Sequence, residues 1–250
     1  MRDSSAFASK PHHATLSSER RRAIITPLVP PLENGDHLDG DEFMRRYEAM
    51  PDLKKAELIE GRVYIMSSPV SVTKHARPDF LAHAWIAIYE LATPGVEGVS
   101  NATTRMGRRR IPQPDAALRL LPTHGGKSHV DKKDYLKGPP ELVIEIAASS
   151  ASVDLHEKLK MYRRAQVLEY LVWRTRDPGI NWLHLEHGKY VSLQADAEGI
   201  IRSRIFPGLW LDVGAMLKGD KARVISVLKR GLRSREHAAF VKRMKNIGGK

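Results

Sequence analysis

Regular alternation and periodicity of apolar positions begin near residue 40 of this 250-residue chain and set a patterned middle between two polar ends. Residues 1–35 are rich in Ser, Pro, His and Arg without a period, and Pro27, Pro30 and Pro31 interrupt any regular element, so they read as a disordered leader. Asp39-Gly40-Asp41 then caps a short helix in which Phe43, Tyr47 and Met50 share one face. Glu57 to Met66 alternates as two strands meeting at a Glu60-Gly61 turn. Residues 73–92 read as a helix with Phe80, Ala84, Ile88 and Leu91 on one face and Pro78 near its first turns.

Strands are expected near 96–104 and 114–121, with Arg105, Arg108, Arg109 and Arg110 on a hairpin loop between them. Glu141 to Ala147 is an apolar strand, and Ser149, Ser150, Ser152 and Asp154 are N-cap candidates for a helix from about 154 to 166. A strand at Leu168 to Arg174 follows. Strand, helix and strand in this order require a crossover, hence parallel pairing or at least a mixed sheet. Asn181 to Leu185, Tyr190 to Gln194 and Ile200 to Ile205 suggest a closing β-meander. Lys218 to Lys250 reads as a basic helical tail with Val224, Val227 and Leu228 as its apolar stripe. The fold class is α/β, organised as a leader over 1–35, one domain over 36–217 and a tail over 218–250.

Charge changes this picture less than its total suggests. The net charge is +12, but residues 1–30 hold +3 and residues 218–250 hold +9, so the patterned domain is neutral. Its affinity for nucleic acid cannot be argued from bulk charge, whereas basic ends can hold phosphate backbones without reading sequence, or simply keep the chain soluble. The chain has no cysteine, which excludes disulfides and thiolate metal sites; any metal must take oxygen or imidazole ligands. No stretch reaches the roughly 18 apolar residues of a spanning helix, and no apolar leader is present, so a soluble cytoplasmic protein without membrane contact is expected.

The candidate chemistry lies in two acidic residues within strand-like surroundings. Pro114 forces an extended approach to Asp115, whose plainer reading is an edge or turn aspartate. Alternation in Leu142 to Ala147 places Glu145 between Val143 and Ala147, where a carboxylate wants a metal, a cation or a raised pKa; an arginine ion pair is the plainer reading. Stepping about 100° per residue along the following helix puts Lys158 beside Leu155 and Tyr162, over the sheet, and Lys160 nearly opposite. Glu57 is the better of two early acids, because Glu60 falls in the turn. His75, at the start of a helix, is a candidate for contact with phosphate or water.

Taken in order, Glu57-Leu58-Ile59-Glu60-Gly61-Arg62, Pro114-Asp115, Pro140-Glu141-Leu142-Val143-Ile144-Glu145-Ile146 with Ser149, Glu157-Lys158-Leu159 with Tyr162, Glu169-Tyr170-Leu171-Val172-Trp173 and Phe206-Pro207-Gly208-Leu209 resemble the Uma-two family of restriction-endonuclease-like proteins over about residues 40–217. That family belongs to the PD-(D/E)XK nuclease superfamily. The resemblance implies a mixed central sheet flanked by helices, with Mg²⁺ held by Asp and Glu. One departure is visible: the superfamily's usual lysine, two residues after the glutamate, is Ala147 here, and the resemblance suggests relocation to Lys158.

The leading expectation is therefore a metal-dependent endonuclease acting on DNA, with RNA not excluded. Asp115, Glu145 and the carbonyl of Ile146 would hold Mg²⁺ or Mn²⁺, Lys158 would orient water or stabilise charge, and Glu57 would complete the shell or a second metal position. Arg108, Arg109 and Arg110, with His75, would contact the nucleic acid. Two alternatives stay open: a module that kept the fold and lost the chemistry, and a structural protein whose basic tail recruits partners. Monomer and homodimer are both left open.

Overall fold

The Asp39 carboxylate accepts the amides of Asp41 and Glu42 and so starts α1 (Gly40–Glu48), which buries Phe43 and Met44 in this computed structural model, whose described residues are 29–66, 69–148 and 153–248. β1 (Ala56–Ile59) and β2 (Arg62–Ile65) form the expected hairpin, with Glu60 and Gly61 in the left-handed region at φ 51° and 87°. A wide turn at Val72–Ala76, capped by the Ser71 side chain, runs into α2 (Arg77–Leu91). The chain continues through β3 (Val96–Ser100), β4 (Thr104–Arg105), β5 (Ala116–Leu120), β6 (His129–Val130), β7 (Leu136–Lys137) and β8 (Leu142–Ala147). A second wide turn, Val153–Lys158, leads into α3 (Leu159–Arg164), followed by β9 (Glu169–Arg174), β10 (Gly179–Glu186), β11 (Lys189–Ser192), β12 (Ile200–Arg202) and β13 (Trp210–Asp212). Three helices close the chain: α4 (Val213–Lys218), α5 (Lys221–Leu232) and α6 (Arg235–Gly248).

The central sheet has the order β11-β10-β9-β8-β5-β3. Only β8 and β9 pair in parallel within it, joined by the crossover through α3, so the sheet is mixed as the strand-helix-strand pattern required. The candidate caps Ser149, Ser150 and Ser152, and the side chain of Asp154, lie outside the described residues, as do positions 1–28. Leader residues that are described are packed rather than free: Leu32 is buried and donates its amide to Met50 Sδ, and the Gly35 amide donates to the Val63 carbonyl.

Three expectations need correction. The buried face of α2 is Pro78, Leu81, Ala82, Trp85, Ile86 and Tyr89, while Phe80 is 70% and Leu91 87% exposed. Trp85 and Tyr89 decide this, since they carry the largest apolar area and each places its polar atom on a carbonyl, Trp210 O and Pro207 O, at 3.0 Å. The third arm of the expected meander is also different, because β12 pairs with β13 in a separate ribbon. Glu169 explains the departure: its buried carboxylate accepts Ser203 Oγ and the amides of Arg204 and Ile205, turning the chain away from the sheet edge. Finally, the basic C-terminal segment is helical but is no appendage, for Val224, Leu228, Phe240 and Met244 join the core formed by Leu142, Ile144, Ile146 and Trp85.

β8 therefore separates two environments. Leu142, Ile144 and Ile146 face α2, α5 and α6, whereas Val143 and Ala147 face Met161 and Tyr162 of α3. Truncating a core anchor on the C-terminal helix should be costly: Phe240→Ala is expected to lower stability by about 3 kcal/mol in urea unfolding. Burial pushes the Glu169 carboxyl up to about 7 from its ordinary 4.5, against hydrogen bonds that favour the charged form. Its folded pKa is raised, so its contribution is complete below the unfolded value and is lost as pH rises from 4.5 through about 7. Wild type should lose on the order of 3 kcal/mol across that window relative to the slope of Glu169→Gln, measured by thermal or urea unfolding against pH.

Candidate active site

Prolines shape the approach to the site. Ile111 exchanges both backbone hydrogen bonds with Leu58 of β1, after which Pro112 and Pro114 remove donors on either side of Gln113. The remaining amide, that of Gln113, donates to Glu57 Oε1 at 2.7 Å. The segment thus ties the β1–β2 hairpin to the central sheet and delivers Asp115 to the start of β5. Ala116 pairs with Ile144, so extending the register by one residue sets Asp115 opposite Glu145, and cross-strand partners point to the same face. That face is the α3 side.

Three carboxylates and two lysines meet there, all buried except the half-buried Lys55. Lys158 Nζ lies 2.9 Å from Glu145 Oε1 and 2.9 Å from Glu57 Oε2, with its side chain 3% exposed. Tyr162 donates its hydroxyl to Glu145 Oε1 at 2.7 Å. Lys158 also hydrogen-bonds Glu57 Oε1 at 3.1 Å, whereas Oε2, though within ion-pair distance, is a buried oxygen that accepts no hydrogen bond among the described residues. Lys55 Nζ is 3.0 Å from Asp115 Oδ1, and Asp115 Oδ2 accepts the Ile146 amide at 2.8 Å and faces His75 Nε2 at 3.4 Å.

The electrostatics follow from these contacts. Burial alone would raise the Asp115 pKa, but His75, Lys55, Lys158 and the Ile146 amide together hold its carboxyl well below the usual range. The Asp115 hydrogen bond raises the His75 pKa against partial burial. Burial opposes the charged form of Lys55, yet Asp115, Glu57 and Glu145 outweigh it and raise its pKa. The site lies at the carboxyl end of β8, where open α/β sheets leave a crevice for ligands.

Asp115, Glu145, Lys158 and Glu57 are thus brought together, and His75 joins them through Asp115. Ile146 takes part through its amide. Arg108, Arg109 and Arg110 are not in the cluster; they lie on a tight turn beside the β1–β2 hairpin, where Arg110 pairs with Glu60 at 3.1 Å and Arg108 with Asp39 at 3.6 Å. Sequence reasoning missed Lys55. The signal was its position two residues before Glu57, which in an extended chain puts both on one side.

The mixed central sheet flanked by helices is a nuclease-like α/β fold. The model of the Uma2 family, described as "Putative restriction endonuclease", matches residues 41–214, and the chain belongs to that family. Among solved structures, the fold is similar to that of "a putative nuclease belonging to DUF820" from Anabaena variabilis, with a TM-score of 0.54 at 10% identity, over 70% of this chain and 97% of that one. A comparison with curated proteins finds no match.

Removing the cation from this cluster should be more harmful than removing an exposed one, since it strands two buried carboxylates. Lys158→Met is expected to cost about 3–5 kcal/mol in urea unfolding, and adding Glu145→Gln to it should restore part of that loss. An unchanged unfolding midpoint in the single variant would contradict the buried-pair account.

Proposed function

We propose that this protein is a Mg²⁺-dependent endonuclease that hydrolyses phosphodiester bonds of DNA. The observation that carries the reading is the opposition of Asp115 and Glu145 on one sheet face, with Glu57 beside them and Lys55 and His75 toward the open side. Among the described residues, no three His, Asp or Glu side chains form a ready-made metal cage. Mg²⁺ does not need one, because it keeps several waters and is commonly held by one or two carboxylates together with substrate phosphate. The donor set fits a hard cation, and the buried Glu57 Oε2, which accepts no aligned hydrogen bond among the described residues, adds an oxygen of the required kind.

Asp115 and Glu145, with the Ile146 carbonyl, would hold the ion, and Mn²⁺ would suit the same oxygens. When bound, the ion would polarise the phosphodiester and acidify a water. Lys158 is sealed between Glu57 and Glu145, so its part in this reading is to hold both carboxylates aligned. Lys55 and His75 have side chains 24% and 30% exposed and both contact Asp115, which suits them to meet a phosphate oxygen and stabilise its developing charge. Exposed Arg108 and Arg109, with Arg110, would hold the backbone beside the hairpin.

A second reading has its own support. Ala147 stands where the superfamily carries lysine, and the three carboxylates already have two lysines and a histidine as counter-charges. A module that binds nucleic acid without cutting it would show the same neutralised cluster. Mg²⁺ titration with supercoiled and linear DNA separates the two. Cleavage should depend on the metal and fall at least about a hundredfold in Asp115→Ala, Glu145→Gln and Lys55→Ala. Equal activity in wild type and all three variants would sink the assignment, and binding without cleavage in wild type would favour the second reading.

A further inference from the structure

The family match stops at residue 214, yet α5 and α6 are built into the core and carry a distinct surface. Residues 221–248 contain nine Lys and Arg against one acid, Glu236, and all nine are exposed. Arg223 is paired with Asp212 and Arg230 with Glu198. Lys221, Lys229, Arg233, Lys242 and Lys245 have no acidic partner among the described residues. Elsewhere many arginines are paired with acids, as Arg110 with Glu60 and Arg119 with Glu97 illustrate, and no other stretch of the described residues gathers as many unpaired cations. An unneutralised cationic face costs self-repulsion that a bound polyanion would relieve.

The geometry suits an extended polyanion. Lys221, Lys229 and Arg233 border an open hollow of about 560 Å³ along the outer side of α5, lined also by Ala222, Ser226 and the partly buried Ile225. From Lys221 to Arg233 the helix rises about 18 Å, a length over which a duplex presents about ten phosphates. A membrane surface fits less well, because the apolar faces of both helices are already spent: Val224, Val227 and Leu228, and Phe240 and Met244, are buried. An interfacial helix needs such a face free to insert.

We infer that the outer face of α5 and α6 is a sequence-independent binding surface for the phosphate backbone of duplex DNA, separate from the acidic cluster. The separation is structural. These helices cover the Leu142, Ile144 and Ile146 side of β8, whereas Glu145, Lys158 and Tyr162 occupy the opposite side. A sheet and a helix layer intervene, on the order of 20 Å of protein. DNA held here is a different stretch from any stretch in the cleft, so the surface acts as a tether that raises local concentration. The inference stands on charge and packing and does not depend on cleavage.

The test is fluorescence anisotropy with a roughly 40-bp duplex across a salt series without divalent ions, using the full chain. Comparison is with the triple variant Lys221→Gln, Lys229→Gln, Arg233→Gln, and with the charge-keeping triple Lys221→Arg, Lys229→Arg, Arg233→Lys. The slope of log affinity against log salt should become shallower by about 2.7 in the Gln variant, from three lost phosphate contacts, and stay unchanged in the charge-keeping one. Unchanged affinity and slope in the Gln variant would overturn the inference, as would tighter binding of polyglutamate or phosphatidylserine vesicles than of the duplex. Asp115→Ala should bind the duplex through this face as wild type does. Duplex binding by a wild type that does not cleave would therefore leave this surface standing even where the nuclease reading fails.

Discussion

Burying charge is the constraint around which this fold is arranged. Glu57, Glu145 and Lys158 are nearly inaccessible, and isolated ions of this kind would each cost several kcal/mol in an apolar interior. They are tolerable only in each other's company, yet they arrive from β1, β8 and the turn before α3, which are far apart in sequence. The β1–β2 hairpin is not part of the central sheet, so the Lys158 contact with Glu57, together with the Leu58–Ile111 bridge and the Gln113 amide, fixes where it sits. Such clusters contribute little net stability compared with a well-packed apolar alternative. Their effect here is positional, since a hairpin displaced by even one residue would leave a buried carboxylate without its ammonium.

The same accounting explains the unequal distribution of charge. Through the central domain, acids and bases balance in number and largely in space, down to Arg119 buried against Glu97 and the Ser128 carbonyl. Across the sheet, α5 and α6 have their apolar faces in the core beside Trp85 and leave an outer surface whose charged groups are nearly all cationic. One sheet thus carries an internally neutralised polar cluster on one face and an unneutralised basic layer beyond the other. Bulk charge therefore describes the second and says nothing of the first.

Much of this was legible in the sequence, for physical reasons that differ by residue. Strand alternation placed Glu145 opposite to Ile144 and Ile146, and the proline before Asp115 marked an extended approach; both hold because period two survives any tertiary context. Lys158 was legible from its stepping relative to Leu155 and Tyr162, even though the turn that carries it is wider than an α-helix, because Tyr162 itself lies on a regular turn and anchors the phase. The α2 face was misread because Phe80, Ala84, Ile88 and Leu91 satisfy helical spacing as well as Trp85 and Tyr89 do. Only tertiary partners, the carbonyls of Trp210 and Pro207, break that tie. Lys55 was overlooked because Lys54-Lys55 looks like an ordinary polar pair, and its role depends on Asp115, 60 residues away. The core membership of α6 was hidden because Phe240 and Met244 are sparse among lysines and arginines.

Ala147 and Lys158 illustrate how one small residue and one charge depend on each other. Ala147 points to the same face as Glu145 and is completely buried beside Met161 and Tyr162. A long side chain at that position would occupy the volume into which α3 settles, and α3 is what brings Tyr162 onto Glu145 and orders the turn ending at Lys158. A lysine at 147 and a lysine at 158 would therefore compete for the same space above the sheet, and two ammonium groups there would repel across a buried gap. With alanine at 147 the helix can close down, and its lysine reaches both Glu145 and Glu57, a second carboxylate brought in by the hairpin. A cation carried on the turn before α3 thus couples the charge of the acidic cluster to the seating of α3 and of the β1–β2 hairpin at once.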